Sequence, residues 1–195
     1  MEIRDHALLY ACMARAILKH LPKKEAEALI EKITVDYGFQ RGKRMASFSK
    51  NGDLNDYFIN GEWKGKEGEN ISKMFFKEDK TVSVVSKCAW YDTWKRYGLE
   101  EYGSYYCRFI DKAICAGFNK DLLLDVNSSI GLGDRNCEFV WHEKADEEKV
   151  RNTRREHILP FDHHCKELYE CMERHLPEKQ RVIILEEIKN GLKEL

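Results

Sequence analysis

The repeat of the apolar residues switches between helical spacing and strict alternation along this chain, and that switching limits the folds open to it more than any other feature. Residues 5–20 carry Leu8, Leu9, Cys12, Ala16 and Ile17 near helical spacing. Pro22 suits the first turn of a second helix with a stripe of Ala26, Leu29, Ile30, Ile33 and Tyr37, which continues through Arg41 and Arg44 to Met45 with a break allowed at Gly38. From 50 to 80 the signal is turn chemistry around a short element holding Tyr57, Phe58 and Trp63. The β-branched, alternating run 81–88 predicts a strand with Cys88 on the face of Val82 and Val84. A helix follows from Trp90 to Tyr97 and stops at Gly98, and another runs from Glu100 to Ala116, closed by Gly117. Leu122, Leu124, Val126, Ser128 and Ile130 alternate with polar neighbours, a turn occupies 131–134, and Cys137, Phe139 and Trp141 share one face of a returning strand, which together predict a hairpin. Residues 143–156 read as a solvated connection or exposed helix, and helices near 161–176 and 178–194 close the chain. The sum is α+β: helices packed on a small, mainly antiparallel sheet.

A chain of 195 residues suits one domain, here 1–195, with a helical part to about 80, an α/β region over 81–142 and C-terminal helices over 160–195. A net charge of −1 offers none of the basic excess of a nucleic-acid binder, which leaves a small molecule or another protein as partner, and an assembly of identical copies stays open. No stretch reaches the roughly 18 apolar residues of a membrane span. The acidic start Met1-Glu2-Ile3-Arg4-Asp5 is unlike a signal peptide, so the expected location is the cytoplasm. Seven cysteines without a Cys-x-x-Cys pair point to reduced thiols rather than a disulfide framework or a common structural zinc site, and no metal or cofactor is called for. One local repetition carries no functional reading: Leu9-Tyr10-x-Cys12-Met13-x-Arg15 returns as Leu168-Tyr169-x-Cys171-Met172-x-Arg174, and His20-Leu21-Pro22 as His175-Leu176-Pro177.

The chemistry concentrates in 87–142. Cys107 and Asp111 are one helical turn apart and share a face with Ile110 and Ile114 beside it, which places a carboxylate at the edge of a buried surface. Such a group needs a cation or donors, or it stays protonated, and either state suits proton transfer or the orientation of an amidine. A local ion pair or a cap is the plainer reading. Cys88, Cys107 and Cys137 are nucleophile candidates if a base or a helix N-terminus lowers a thiol pKa, Cys88 being best placed for the latter, against the reading of small core hydrophobes. His164, in Asp162-His163-His164-Cys165, is an acid/base candidate or a capping histidine. Arg41 and Arg44 lie within helical reach of each other to grip a carboxylate, or form a solvated basic turn.

These residues fall within a longer pattern. The run Cys88-Ala89-Trp90-Tyr91-Asp92-x-Trp94, Gly98-Leu99-x-x-Tyr102-Gly103 and Tyr106-Cys107-x-x-x-Asp111, continuing through Gly117-Phe118-Asn119, Leu124-Asp125-Val126 and Gly133-Asp134-x-x-Cys137-x-Phe139, resembles the central signature of the L-2-amino-thiazoline-4-carboxylic acid hydrolase family. The flanks Asp5-His6-Ala7, Tyr37-Gly38-x-Gln40-Arg41-Gly42-x-Arg44-Met45, Gly61-Glu62-Trp63 and Phe161-Asp162-His163-His164 are similar too, although His163 stands where an aromatic is usual, so the resemblance spans about 5–172. It implies an α+β fold related to the four-vinyl-reductase and haem-nitric-oxide-binding-like ligand domains. It also implies hydrolytic opening of a small cyclic amidine, with Cys107, Asp111, His164 and Cys88 catalytic and Arg41, Arg44, Cys137 and Tyr106 binding substrate. The alternatives are a non-catalytic ligand-binding or sensor domain, and a metal-dependent enzyme using His6, His164 and the cysteines.

Overall fold

The computed structural model describes residues 1–195 and builds them around two long helices in close contact. The elements are α1 (Ile3–His20), α2 (Lys23–Ser47), α3 (Leu54–Ile59), β1 (Ile71–Phe76), β2 (Thr81–Lys87), α4 (Ala89–Tyr97), α5 (Glu100–Phe118), β3 (Leu124–Ser128), β4 (Cys137–Trp141), α6 (Glu147–Asn152), α7 (Phe161–His175) and α8 (Glu178–Lys193). The fold is α+β, with eight helices and one antiparallel four-stranded sheet in the order β1-β2-β4-β3. No helix is long and apolar enough to cross a membrane.

Glycines hold the centre together. A Cβ on Gly42 of α2 would stand 2.1 Å from the Ile114 carbonyl of α5, and one on Gly117 would stand 2.2 Å from the Phe39 carbonyl of α2. One on Gly38 would meet the Ala113 Cβ at 2.7 Å. The two backbones therefore approach as closely as helices can only where side chains are missing. This settles one open reading and corrects one expectation. Gly38 does not break α2 and Gly117 does not end α5, which runs on to Phe118, because both glycines are contact points rather than stops. Gly98, by contrast, does end α4, with a left-handed φ of 64°.

The helical side of the molecule shares one core, in which Tyr10, Met13, Ile17, Ile30, Tyr37, Trp94 and Leu168 are fully or almost fully buried. The repetition seen in the sequence has a structural counterpart. α1 and α7 each end at a histidine, and Leu21 and Leu176 leave in extended backbone before Pro22 and Pro177 cap the next helix. A second, smaller core around Leu54, Phe118, Leu122 and Trp141 joins the ends of α2 and α5 to the sheet.

The predicted hairpin is present as β3 and β4, with a register shift between Val126 and Ser128. β1 is an element that the sequence reading lacks: it is an edge strand with mostly exposed residues, so it shows no clean alternation. Cross-strand rows set one face of the sheet toward α5. Ser72, Val85 and Cys137 are aligned partners, as are Met74, Ser83 and Phe139. Cys88 does not share the face of Val82 and Val84 as expected: β2 stops at Lys87, and Cys88 lies past it as the N-cap of α4.

Gly42→Ala should separate α2 from α5, since the new methyl meets backbone rather than a movable side chain. We expect a loss of about 1–3 kcal/mol or more in urea unfolding.

Candidate active site

Between α5 and the inner face of the sheet lies a cavity of about 470 Å³, within the usual span of small-molecule sites. Six of the eight residues singled out from the sequence line it: Arg41, Cys88, Tyr106, Cys107, Asp111 and Cys137. They arrive from four elements. α2 supplies Arg41, the N-cap of α4 supplies Cys88, α5 supplies Tyr106, Cys107 and Asp111, and β4 supplies Cys137. The rest of the wall is mainly apolar and aromatic, with Trp63, Trp90, Ile110, Phe139 and Trp141 prominent.

Asp111 is the group whose state decides what this cavity can do. No other residue donates a hydrogen bond to its carboxyl, and burial pushes its pKa up to about 6, with the Arg41 guanidinium opposing. Arg41 is itself committed: its Nε donates to Glu62 Oε2 at 3.2 Å, an Nη donates to the Tyr106 hydroxyl at 3.3 Å, and it stacks over the Tyr37 ring at 5.4 Å. Glu62 is 2% exposed and takes Arg44 as a second partner, while Arg44 also pairs with Glu167. Two guanidiniums and two carboxylates thus balance in one partly buried network, which explains how Arg41 tolerates an apolar setting.

The thiols face the same cavity as neutral groups. Burial pushes Cys88 up to about 11 even though the backbone amides of Tyr91 and Trp90 pull it down. Burial also raises Cys107 well above the ordinary value, with Cys88, Asp111 and Cys137 adding to it. The expected help from the α4 N-terminus is therefore real, but desolvation outweighs it. Cys137 accepts the Ile130 N–H at 3.3 Å, and the backbone of Gly131 comes so close that a Cβ there would lie 2.5 Å from Cys107 Sγ. The hairpin turn is in this way seated directly on the thiol of α5.

Two expected site residues lie elsewhere. Arg44 points away from the cavity because Glu62 and Glu167 hold it on the outer side of α2. His164 is 1% exposed in the helical core beside Phe161, does not line the cavity, and is held neutral by burial, its pKa pulled down to about 2. The metal reading for His6 meets a full coordination of hydrogen bonds. The Trp90 indole donates to His6 Nδ1 at 3.1 Å, which leaves the ring proton on Nε2, facing the Tyr37 hydroxyl at 3.0 Å. Tyr37 in turn donates to the His164 carbonyl at 3.3 Å. This buried chain holds Trp90 in the cavity wall.

The structure adds residues that sequence reasoning passed over. Arg155, from the segment read as a solvated connection, reaches the cavity; its one hydrogen bond goes to the Trp63 carbonyl at 3.3 Å and no carboxylate pairs with it. The segment is held down by the Leu159 N–H donating to the Glu62 carbonyl at 2.7 Å and by His157 stacking on Phe48 at 3.8 Å. Asn70 accepts the Ala89 N–H at 3.0 Å through its oxygen and leaves Nδ2 buried without a partner. Lys64 also stands at the rim. An unpaired arginine within a charged run gives no signal in sequence that sets it apart from its solvated neighbours.

A family model for L-2-amino-thiazoline-4-carboxylic acid hydrolase matches residues 1–141, which include every element that builds the cavity wall except the segment carrying Arg155. The chain belongs to the L-2-amino-thiazoline-4-carboxylic acid hydrolase family. No curated protein and no solved structure matches it. Within this family member the motif residues Cys107 and Asp111, which share one face of α5, line one cavity.

Asp111 couples the site to stability. Its folded pKa of about 6 exceeds the ordinary 3.8, so the folded state holds the proton more tightly, and the stability this gives is present below pH 4 and lost as pH rises through 6. The full loss is at most about 3 kcal/mol, less where cavity water screens the charge. Asp111→Asn should therefore melt with the wild type at pH 4 and above it at pH 8, read by thermal scans across that range.

Proposed function

We propose that this protein hydrolyses a small cyclic amidine bearing a carboxylate, with 2-amino-thiazoline-4-carboxylate as the first candidate. The observation that carries this reading is the charge layout of the cavity. An unpartnered carboxyl with a pKa near 6 lies on its α5 wall, and an unpaired guanidinium with a free amide lies among the other lining groups. A ring with an amidinium on one side and a carboxylate on the other is complementary to that layout: Asp111 meets the amidine, while Arg155, Asn70 Nδ2 and Lys64 receive the carboxylate. Arg41, committed to Glu62, contributes its field and fixes the Tyr106 hydroxyl rather than clamping substrate directly.

Asp111 then serves as the proton carrier. Its acid form protonates the ring nitrogen, which makes the carbon between two nitrogens and a sulfur electrophilic. The resulting carboxylate accepts a proton from the water that adds to that carbon. The tetrahedral adduct collapses as Asp111 protonates the leaving ring atom, sulfur or nitrogen, and the hydroxyl proton of the adduct returns to Asp111 as the carbonyl forms. Atoms and charges balance, and the enzyme ends as it began. A carrier whose pKa lies near the working pH gives and takes protons with least loss. The raised thiol pKa values favour water over Cys88 or Cys107 as the nucleophile, and the thiols line the apolar surface against which the sulfur-containing ring packs.

The experiment is incubation of purified protein with 2-amino-thiazoline-4-carboxylate, following by mass spectrometry a product heavier by one water and by thiol reagent the release of sulfur. Asp111→Asn should lose 10²–10⁴-fold in kcat. Arg155→Ala should raise KM with little change in kcat, and Cys107→Ser should keep most activity. Saturable binding with no hydrated product would instead assign a ligand-sensing domain of the four-vinyl-reductase kind. A Cys107→Ser variant that is inactive but folded, with a covalent adduct trapped on the wild type, would replace water by thiolate as nucleophile.

A further inference from the structure

Away from the cavity, where α7 crosses α2, Asp36, Cys171 and His175 bring an oxygen, a sulfur and a nitrogen within 4.8 Å of one another. We propose that these three side chains form a binding site for one divalent transition-metal ion of borderline softness, with zinc(II) as the natural match. The site is separate from the reaction proposed above, and Cys171 and His175 lie beyond the residues that the family model covers.

The geometry suits a ligand set for one ion. Cys171 and His175 are one helical turn apart on α7 and so project from the same face, while Asp36 comes from the facing helix. His175 Nε2 stands 2.8 Å and Cys171 Sγ 3.4 Å from the same oxygen, Asp36 Oδ2. Around a tetrahedral zinc with bonds of about 2.0–2.3 Å, ligand atoms lie roughly 3.3–3.8 Å apart, so small rotamer adjustments suffice. The outer shell is in place as well: Gln40 Nε2 donates to Asp36 Oδ1 at 3.2 Å, which fixes the carboxylate and leaves Oδ2 toward the ion. A surface crevice of about 500 Å³ beside Asp36 and Cys171 leaves the fourth position to water.

Charge also fits. The Cys171 thiol is buried and lies against the Asp36 carboxylate. A divalent ion displaces its proton to solvent and then meets one thiolate, one carboxylate and one neutral imidazole, which cancels the ionic charge. The competing cation is Arg174, 3.2 Å from Asp36 Oδ2, whose side chain is 56% exposed and free to swing away. The plainer arrangement, a hydrogen-bonded clip of Asp36 with His175, Cys171 and Arg174, makes the opposite prediction for Arg174. Removing that residue would weaken a clip and strengthen a metal site. Bound metal would tie the C-terminal helix pair to α2 across a sequence separation of 139 residues.

The test is a cobalt(II) titration of chelator-stripped full-length protein, read by the thiolate-to-cobalt charge-transfer band and the visible bands of tetrahedral cobalt. We expect saturation at one equivalent, displacement by zinc(II), and a higher Tm with zinc(II) than without. Cys171→Ser should abolish the charge-transfer band, His175→Gln should weaken binding at least tenfold, and Arg174→Ala should tighten it several-fold. His175 is only partly buried, so its variant tests the site even if Cys171→Ser does not fold. The combined Cys88→Ser, Cys107→Ser, Cys137→Ser protein should keep the band. Absence of a saturable band, its survival in Cys171→Ser, its loss in the cavity triple variant, or weaker binding in Arg174→Ala would overturn the proposal.

Discussion

The contact of α2 with α5 is the constraint on which the rest of the molecule rests. Gly38, Gly42 and Gly117 remove the side chains that would hold the two helices apart, so backbone meets backbone along their shared length. That approach brings Arg41 of α2 to the same cavity as Tyr106 and Asp111 of α5. The gain is dispersion and the exclusion of water over a well-fitted surface, and the cost is the conformational freedom of glycine within helices. With the helices at ordinary spacing, the Arg41–Tyr106 hydrogen bond would be lost.

A second consequence is electrostatic. Close packing leaves Arg41 only 5% exposed, so it depends on Glu62, which in turn depends on Arg44 and Glu167. The network runs from the cavity outward to the surface of α7 and ties the C-terminal helices to the site without placing any of their side chains in it. Because Glu62 meets the need of Arg41, Asp111 is left with the field of a cation and no hydrogen bond from one. Desolvation then prevails and holds its pKa near 6. An acid poised in this range is a product of the surrounding charge balance rather than of Asp111 alone.

Much of this was legible beforehand, for reasons that differ between elements. The hairpin of β3 and β4 and the face carrying Cys137, Phe139 and Trp141 follow from alternation, which is local. That Cys107 and Asp111 share one face of α5 follows from a spacing of four on a helix, which is local too. The reading of Gly117 as a helix end fails, and the break allowed at Gly38 does not occur, because a glycine signals absence of a side chain, and only a partner backbone shows whether that absence serves a turn or a contact. β1 escaped notice because an edge strand buries little and so carries little pattern. His164 and Arg44 were assigned to the site on residue type, and their burial partners, distant in sequence, put one in the core and the other in an outer ion pair.

The amino-acid order by itself determined the α+β class, the helix and strand faces, the family and the pair at the centre of the proposed chemistry, because each of these depends on interactions between residues near in sequence or on a motif carried in fixed order. Only the tertiary structure decided which charges are neutralised. Arg41 and Arg155 are the same residue type in comparably charged surroundings, yet one is bound to Glu62 and the other stands unpaired at the cavity. Ionic state depends on desolvation and on partners brought together across the fold, and neither is a property of local sequence.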